Sequence, residues 1–133
     1  MTLDDYEPAY QVWSSAEGIC LGEEDGRDGI ALYLQRNPAS CFVALDGEEI
    51  IGVVLCGHEG RRGILRHLAV KPEYRKCGVG RALVGACLKA LSDEGIKACN
   101  IFVMDDNRTG MQFWEHLGFH RLEDNYRTLQ HRT

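Results

Sequence analysis

Apolar residues in the second half of the chain form one helical stripe. Between residues 79 and 91 they recur at spacings of three and four, as on one face of an α-helix. The members of the stripe are Val79, Ala82, Leu83, Ala86, Cys87, Ala90 and Leu91. Gly95 can adopt the left-handed conformation that ends helices, and Ile96 is placed to make the accompanying apolar contact. The pattern predicts a long amphipathic helix that stops at Gly95.

Shorter patterns predict the other elements. Helices are predicted at residues 4–16, 30–36 and 108–117, and strands at residues 41–45, 50–56, 64–70, 98–104, 119–122 and 126–130. The Asp46-Gly47 turn and a glycine-containing turn near residues 57–63 join the first three strands as an antiparallel meander. The long helix then makes the crossover to a parallel strand. The predicted fold is therefore a mixed α/β domain with a mostly antiparallel sheet.

Length and composition limit the class of protein. The chain has 133 residues and is 44% hydrophobic, which suits one domain spanning residues 1–133 with a substantial core. No apolar run approaches the ~20 residues that cross a bilayer, and the N-terminus lacks the features of a signal peptide. We therefore expect a cytoplasmic protein without a membrane partner.

Charge is distributed unevenly along the chain. The net charge of −5 argues against general nucleic-acid binding. Residues 1–60 nevertheless hold 2 basic and 12 acidic side chains, whereas residues 61–81 hold 7 basic and 1 acidic. Such a run is often only a solvated face. Here it coincides with a glycine turn, which favours a polyanionic ligand.

The glycine turn lies directly before the long helix. Its residues are Arg75, Lys76, Cys77, Gly78, Val79, Gly80 and Arg81. The first N–H groups of a helix have no intrahelical partner and carry partial positive charge, so they can bind phosphate. Leu83 stands where a Rossmann motif has its third glycine, and no Lys-Ser or Lys-Thr pair completes a Walker loop. The alternative is a turn without a ligand.

Cysteine usage does not indicate a disulfide framework or a zinc site. The six cysteines lie at positions 20, 41, 56, 77, 87 and 99, and no two form a Cys-x-x-Cys pair. Most fall inside predicted strands or helices, so we expect free buried thiols. Cys77 is the exception because it lies in the glycine turn beside Lys76, where a thiolate is favoured.

The segment Arg75-Lys-Cys-Gly78-Val-Gly80 resembles the motif of the GCN5-related N-acetyltransferase (GNAT) family. That motif reads Gln or Arg, two residues, Gly, one residue, then Gly or Ala. The resemblance covers about residues 40–120. It includes Leu68-Ala69-Val70 before the turn, Asn107, and Phe113-Trp114-Glu-His-Leu-Gly118-Phe119. Three separately placed motifs in order make the resemblance specific.

The resemblance implies a fold and a co-substrate. Acetyl-CoA would lie between two parallel strands that splay apart, and no metal is expected. Its diphosphate would bind the amides of Lys76, Cys77, Gly78, Val79 and Gly80, with Arg75 and Arg81 nearby. Its pantetheine arm would pair with the backbone of Leu68, Ala69 and Val70, while Asn107 and Phe113 would contact the arm. Asn107 could instead be only a helix cap, and Phe113 only a core residue.

The resemblance also implies direct attack of a neutral amine on the thioester, in which the Leu68 amide stabilises the developing charge. The acid and base of relatives are missing, however. Trp114 stands where relatives have a tyrosine, Phe102 and Ile64 stand where relatives have a glutamate, and Arg66 stands where relatives have a histidine. His67 and Tyr126 are the remaining candidates, with strand alternation placing His67 and Arg66 on opposite faces. No catalytic side chain is assigned.

The acceptor is predicted from charge. In the family, the N-terminal helices and the loop between the last strands supply the acceptor pocket. Here the first of these regions contains the acidic residues Glu17, Glu23, Glu24, Asp25 and Asp28. Carboxylates attract a small cationic amine or a basic peptide, although a solvated acidic loop is an equal alternative.

Two functions without acetyl transfer stay open at this point. One is a regulatory module that binds acyl-CoA without turnover, which the missing tyrosine and glutamate support. The second is a structural domain with a vestigial loop, which would have no affinity for coenzyme A. The family resemblance also allows a homodimer.

Overall fold

The computed structural model describes residues 1–123 and 128–133. Its helices are α1 (Tyr6–Ser14), α2 (Arg27–Arg36), α3 (Val79–Asp93) and α4 (Arg108–His116). Its strands are β1 (Phe42–Asp46), β2 (Glu49–His58), β3 (Gly63–Val70) and β4 (Cys99–Asn100). Short 3₁₀ turns lie at Leu3–Asp5, Glu23–Asp25 and Pro72–Tyr74. The helices and the first three strands therefore lie within three residues of their predicted bounds.

The four strands form one sheet in the order β1-β2-β3-β4. β2 pairs antiparallel with β1 and with β3, and β4 runs parallel to β3. The crossover between the parallel strands contains α3, as expected for a helix of this length. The predicted mixed sheet with one parallel pair and about four helices is confirmed.

β2 is the centre of the core and is buried on both faces. Val53 and Leu55 pack in a cluster with Trp13 and other residues of α1 and α2. Val54 and Cys56 point to the opposite face and pack in a cluster with α3. This alternation follows from the two-residue period of a strand. Each fully buried Val or Leu side chain contributes on the order of 1.5–3 kcal/mol to the free energy of folding. The side chains of β2 therefore stabilise the packing of helices on both faces of the sheet.

α3 ends as its sequence predicts. Gly95 has a φ of +80°. Its N–H group donates to the Ser92 carbonyl at 2.9 Å, and the Ile96 N–H group donates to the Leu91 carbonyl at 2.9 Å. These two bonds are those of a Schellman motif, which satisfies the last carbonyls of a helix.

The C-terminal third departs from the predicted strands. β4 pairs with only Gly63 and Ile64, so the strand predicted at residues 98–104 is too long. Residues 119–122 and 128–130 form no strand, and Tyr126 lies outside the described residues. A further strand must pair with the edge of a neighbouring strand, and β4 provides an edge of only two residues.

No helix in the described ranges combines the length and apolar character needed to cross a membrane.

Candidate active site

The glycine turn of residues 75–81, called the glycine loop from here on, joins the 3₁₀ turn at Pro72–Tyr74 to the first turn of α3. Lys76 and Gly78 have left-handed backbone, with φ of +60° and +83°. Gly78 is the N-cap of α3 and provides no side-chain cap. The N–H groups of residues 76–81 donate to no acceptor in the part of the chain that the structure describes. A row of neighbouring donors at a helix start is an arrangement that binds phosphate.

Basic side chains surround this row of donors. Arg75, Lys76 and Arg81 are exposed and form no ion pair with any residue in the ranges 1–123 and 128–133. Lys71 differs, because its Nζ atom lies 2.6 Å from Glu49 Oε1. The positive charge around the loop is therefore left for a ligand.

Two contacts fix the approach to the loop. The Tyr74 hydroxyl donates to Asp46 Oδ2 at 2.7 Å, and the Lys71 N–H group donates to the Ile51 carbonyl at 2.8 Å. The hydrogen bond to Asp46 raises the pKa of Tyr74 to about 12, so the phenol stays protonated at neutral pH. The 3₁₀ turn is thereby attached to the β1–β2 hairpin, which sets the position of the loop.

The two loop glycines have different roles. A Cβ atom at Gly78 would meet no atom of the described residues within 4 Å, whereas one at Gly80 would lie 3.3 Å from Phe113 Cζ. Gly80 therefore allows α4 to approach the start of α3, a packing role that the motif did not reveal. Phe113 also packs edge-on against Trp114, with ring centroids 5.1 Å apart. Its packing role is confirmed, and its contact with acetyl-CoA stays a prediction.

A cleft of about 250 Å³ opens where β3 and β4 separate. Residues 65–68 form one wall, residues 101–104 form the opposite wall, and residues 17–20 with Asn107 and Trp114 complete the lining. Ligands favour the carboxyl ends of parallel strands, and this cleft lies there. A larger cavity of about 450 Å³ lies at the C-terminal end of α3 and includes no loop residue.

A β-bulge shapes the β3 wall of the cleft. Two residues of β3, His67 and Leu68, face a single residue of β2, Val54. Such a bulge bends the strand and leaves backbone groups outside the ladder. Ala69 and Val70 follow, with Ala69 buried and Val70 half-buried. The backbone predicted to pair with pantetheine thus begins at the bulge.

Asn107 is the N-cap of α4. Its Oδ1 atom accepts a hydrogen bond from the Gly110 N–H group at 2.8 Å, so it is a helix cap. Its Nδ2 group makes no hydrogen bond within the described ranges, and a Cβ atom at Gly18 would lie 3.7 Å from it. The cap therefore leaves an amide donor at the cleft.

These features belong to a known family. The sequence model of the acetyltransferase (GNAT) family matches residues 3–119. The chain belongs to that family. N-alpha-acetyltransferase 30 of Schizosaccharomyces pombe is 35% identical over 100 residues, which cover 71% of this chain and 67% of that protein. The protein is accordingly an acetyl-CoA-dependent N-acetyltransferase, and acetyl-CoA is its co-substrate.

Solved structures show the same fold. PaiA N-acetyltransferase from Thermoplasma acidophilum, in complex with coenzyme A, aligns with a TM-score of 0.80 at 20% identity, over 94% of this chain and 89% of that one. Ard1 from Thermoplasma volcanium aligns with a TM-score of 0.80 at 20% identity, over 90% of this chain and 79% of that one. The recognition of a GNAT fold from the glycine motif is confirmed.

Apolar side chains form much of the lining of this acetyltransferase cleft. Trp114 packs between the rings of Phe113 and Phe119, with both centroids 5.1 Å away, so apolar contacts hold it. Phe102 is 73% exposed, and the Arg66 guanidinium lies 5.8 Å from its ring centroid. None of the residues that line the described cleft is a tyrosine. Tyr126, the second candidate from the sequence, lies outside the described residues.

His67 is held in place by hydrogen bonds. Its Nε2 atom lies 2.6 Å from Asp25 Oδ1, and its backbone carbonyl accepts from Trp13 Nε1 at 2.8 Å. This pairing supports the interpretation of His67 as a structural histidine. Sequence reasoning missed the pair because the two residues lie 42 positions apart and no motif spacing connects them.

The acidic residues do not all face the acceptor side. Glu17 lines the cleft, whereas Glu23 pairs with Arg132 at 2.8 Å. Glu24 and Asp28 are exposed and do not line the cleft. Asp25 is 6% exposed and is bound to His67, so its assignment as an acceptor-attracting carboxylate is wrong. Burial beneath β3 removes that carboxylate from solvent.

The cysteines are free thiols. Cys41, Cys56 and Cys87 are buried as predicted, whereas Cys20 and Cys77 are exposed. A hydrogen bond with Cys87 raises the pKa of Cys56 to about 12, so this thiol stays protonated and unreactive. Among the described residues, no group of three or more His, Cys, Asp or Glu could hold a metal ion.

Proposed function

We propose that residues 1–133 act as one domain that acetylates the free amine of a peptide or protein. The observation that carries the proposal is the row of amides at the start of α3, which donate to no acceptor among the described residues and lie near the cleft between β3 and β4. The start of α3 lies close to the end of β3, because a Cβ atom at Gly80 would lie 3.8 Å from Val70 Cγ2. One ligand can therefore reach from the loop into the cleft.

The proposed binding residues follow this path. The amides of Lys76, Cys77, Gly78, Val79 and Gly80, together with the Arg75 and Arg81 side chains, bind the diphosphate. The backbone of Leu68, Ala69 and Val70 binds the pantetheine arm, and Asn107 and Phe113 flank it. Within residues 1–123 and 128–133 the loop amides donate to no acceptor and the loop cations form no ion pair, so both fit a polyanion, and the Asn107 Nδ2 group fits an amide-rich arm.

The proposed reaction is direct transfer in a ternary complex. A neutral amine attacks the thioester carbonyl, a C–N bond forms and the C–S bond breaks, and the proton that the nitrogen loses balances the proton that the departing coenzyme A thiolate takes up. The Leu68 amide, which lies at the bulge, donates to the carbonyl oxygen as negative charge develops. Positioning of the two reactants supplies much of the rate, so water can carry the proton in place of an acidic side chain.

The proposed acceptor class rests on the cleft and on one relative. The relative from Schizosaccharomyces pombe is named for acetylation of α-amines, and it is 35% identical to this chain. Phe102 and Met104 are 73% and 61% exposed beside the cleft, where they can contact the first side chains of a peptide. Glu17 is the cleft carboxylate that would attract its ammonium group.

Release of free coenzyme A from acetyl-CoA tests this function. We expect turnover with peptides that have a free N-terminus and none with the same peptides after chemical N-acetylation. Polyamines, amino acids and aminoglycosides serve as the competing acceptor panel. Turnover with members of that panel alone would show that the acceptor is a small amine and not a peptide. Coenzyme A binding without turnover on any amine would instead support the regulatory module, which the Trp114 and Phe102 replacements favour.

The Glu17→Gln variant tests the acceptor side. Loss of one partly screened attraction is expected to raise the KM of the peptide about three- to fivefold and to leave kcat unchanged. Glu48→Gln is the matched control, because Glu48 is exposed in the β1–β2 turn and does not line the cleft. An unchanged KM in Glu17→Gln would contradict electrostatic attraction at the cleft.

A further inference from the structure

The backbone at His67 has a conformation that is uncommon for residues other than glycine. His67 has a φ of +52°, and it is the first residue of the bulge in β3. Bulges with a left-handed first residue normally have glycine there, because a Cβ atom disfavours this conformation. A histidine at this position requires contacts that hold it, and the structure contains two.

The two contacts come from different elements of the N-terminal region. The Trp13 indole of α1 is fully buried, and its Nε1 group donates to the His67 carbonyl at 2.8 Å. The Asp25 carboxylate, from the 3₁₀ turn before α2, lies 2.6 Å from His67 Nε2. Its other oxygen accepts from the Gly22 N–H group at 2.7 Å. The backbone and the side chain of His67 are therefore fixed separately.

We propose that Trp13 and Asp25 are positioning residues for acetyl transfer, and that they act by holding His67 in the left-handed conformation. Leu68 is the next residue, so the conformation at His67 sets the direction of the Leu68 amide in the cleft. This inference rests on the proposed function, in which that amide stabilises the developing oxyanion. His67 acts through its backbone, and its imidazole transfers no proton.

A glycine and alanine pair at position 67 separates the two roles of His67. Both His67→Gly and His67→Ala remove the imidazole, but only glycine accepts a φ of +52° without a steric penalty. We expect kcat of His67→Gly to exceed that of His67→Ala about tenfold, while the Kd of coenzyme A differs less than about twofold between them. Equal and strongly reduced kcat values would overturn the proposal and assign the chemistry to the imidazole.

A second variant tests the carbonyl contact alone. Trp13→Phe keeps an aromatic ring but removes the N–H donor, and we expect it to lower kcat about three- to tenfold with the Kd of coenzyme A retained. The control is His58→Ala, which removes another histidine–carboxylate pair, His58 Nε2 to Glu94 Oε2 at 2.7 Å, at the far end of β2. We expect this control to keep the wild-type kcat, and a kcat loss in the control equal to that of Trp13→Phe would overturn the assignment. Circular dichroism at the assay temperature confirms that each variant is folded.

An NMR measurement keeps the inference separate from the proposed function. The ¹⁵N–¹H resonance of Leu68 in the ligand-free protein should keep its wild-type position more closely in His67→Gly than in His67→Ala. This result is expected whether or not an acceptor is turned over, so failure of the acetylation assay leaves it testable. Equal shifts of the Leu68 resonance in both variants would contradict backbone positioning by His67.

Discussion

Replacement of Gly78 by valine is expected to weaken coenzyme A binding about 100-fold, which corresponds to about 2.7 kcal/mol. Gly78 has a φ of +83°, a conformation that is a genuine outlier for a β-branched residue. The variant must either keep a strained loop or rotate the neighbouring amides away from their common ligand. Because a Cβ atom at Gly78 would meet no described residue within 4 Å, the substitution introduces no steric clash at this atom. Isothermal titration with coenzyme A measures the effect.

Gly95→Val is the matched control for this variant. Gly95 ends the same helix with a φ of +80°, and a Cβ atom there would also meet nothing within 4 Å in the part of the chain that the structure describes. Both substitutions therefore impose a similar backbone strain, on the order of 1–2 kcal/mol. We expect Gly95→Val to lower the melting temperature while keeping coenzyme A affinity. Equal affinities for the two variants would show that the loop amides do not bind the ligand.

Removal of the loop cations is expected to produce the second large loss. The double variant Arg75→Gln/Arg81→Gln should weaken coenzyme A binding about tenfold at low ionic strength, because neither guanidinium forms an ion pair within residues 1–123 and 128–133. The loss of coenzyme A affinity should fall to about two- to threefold in about 0.5 M NaCl, where exposed charges are screened. Titrations at both salt concentrations measure this difference.

The turn between β2 and β3, at the opposite end of β3 from the loop, supplies the control for this double variant. Arg61→Gln/Arg62→Gln removes the same charge from the same basic stretch, but both residues lie in the turn between β2 and β3 and are exposed. We expect this double variant to change the Kd less than about twofold. A loss equal to that of the loop variant would mean that only the net charge attracts the ligand.

Local patterns predicted the parts of the fold that depend on local physics. The stripe from Val79 to Leu91 gave α3, and the Gly95-Ile96 pair gave its Schellman end. The glycine motif identified the family, because its spacing suits backbone amides that bind a ligand. Gly80 shows the limit of this reasoning, because its closeness to Phe113 depends on how α4 packs.

The remaining features depend on contacts between distant parts of the chain. β4 ends at Asn100 because β3 and β4 diverge, although residues 101–104 have the composition of a strand. The Asp25–His67 pair and the bulge it holds arise where the N-terminal region packs on β3. In the sequence, Asp25 and the exposed Glu24 beside it are neighbouring carboxylates of one acidic stretch. Only tertiary structure distinguishes the buried carboxylate from the solvated one.

A crystal structure with coenzyme A tests the central claim most directly. The account predicts diphosphate oxygens within hydrogen-bond distance, about 3 Å, of several amide nitrogens of residues 76–80, with the arm of the ligand entering the cleft between β3 and β4. A diphosphate bound elsewhere on the chain, with these amides still free, would contradict it.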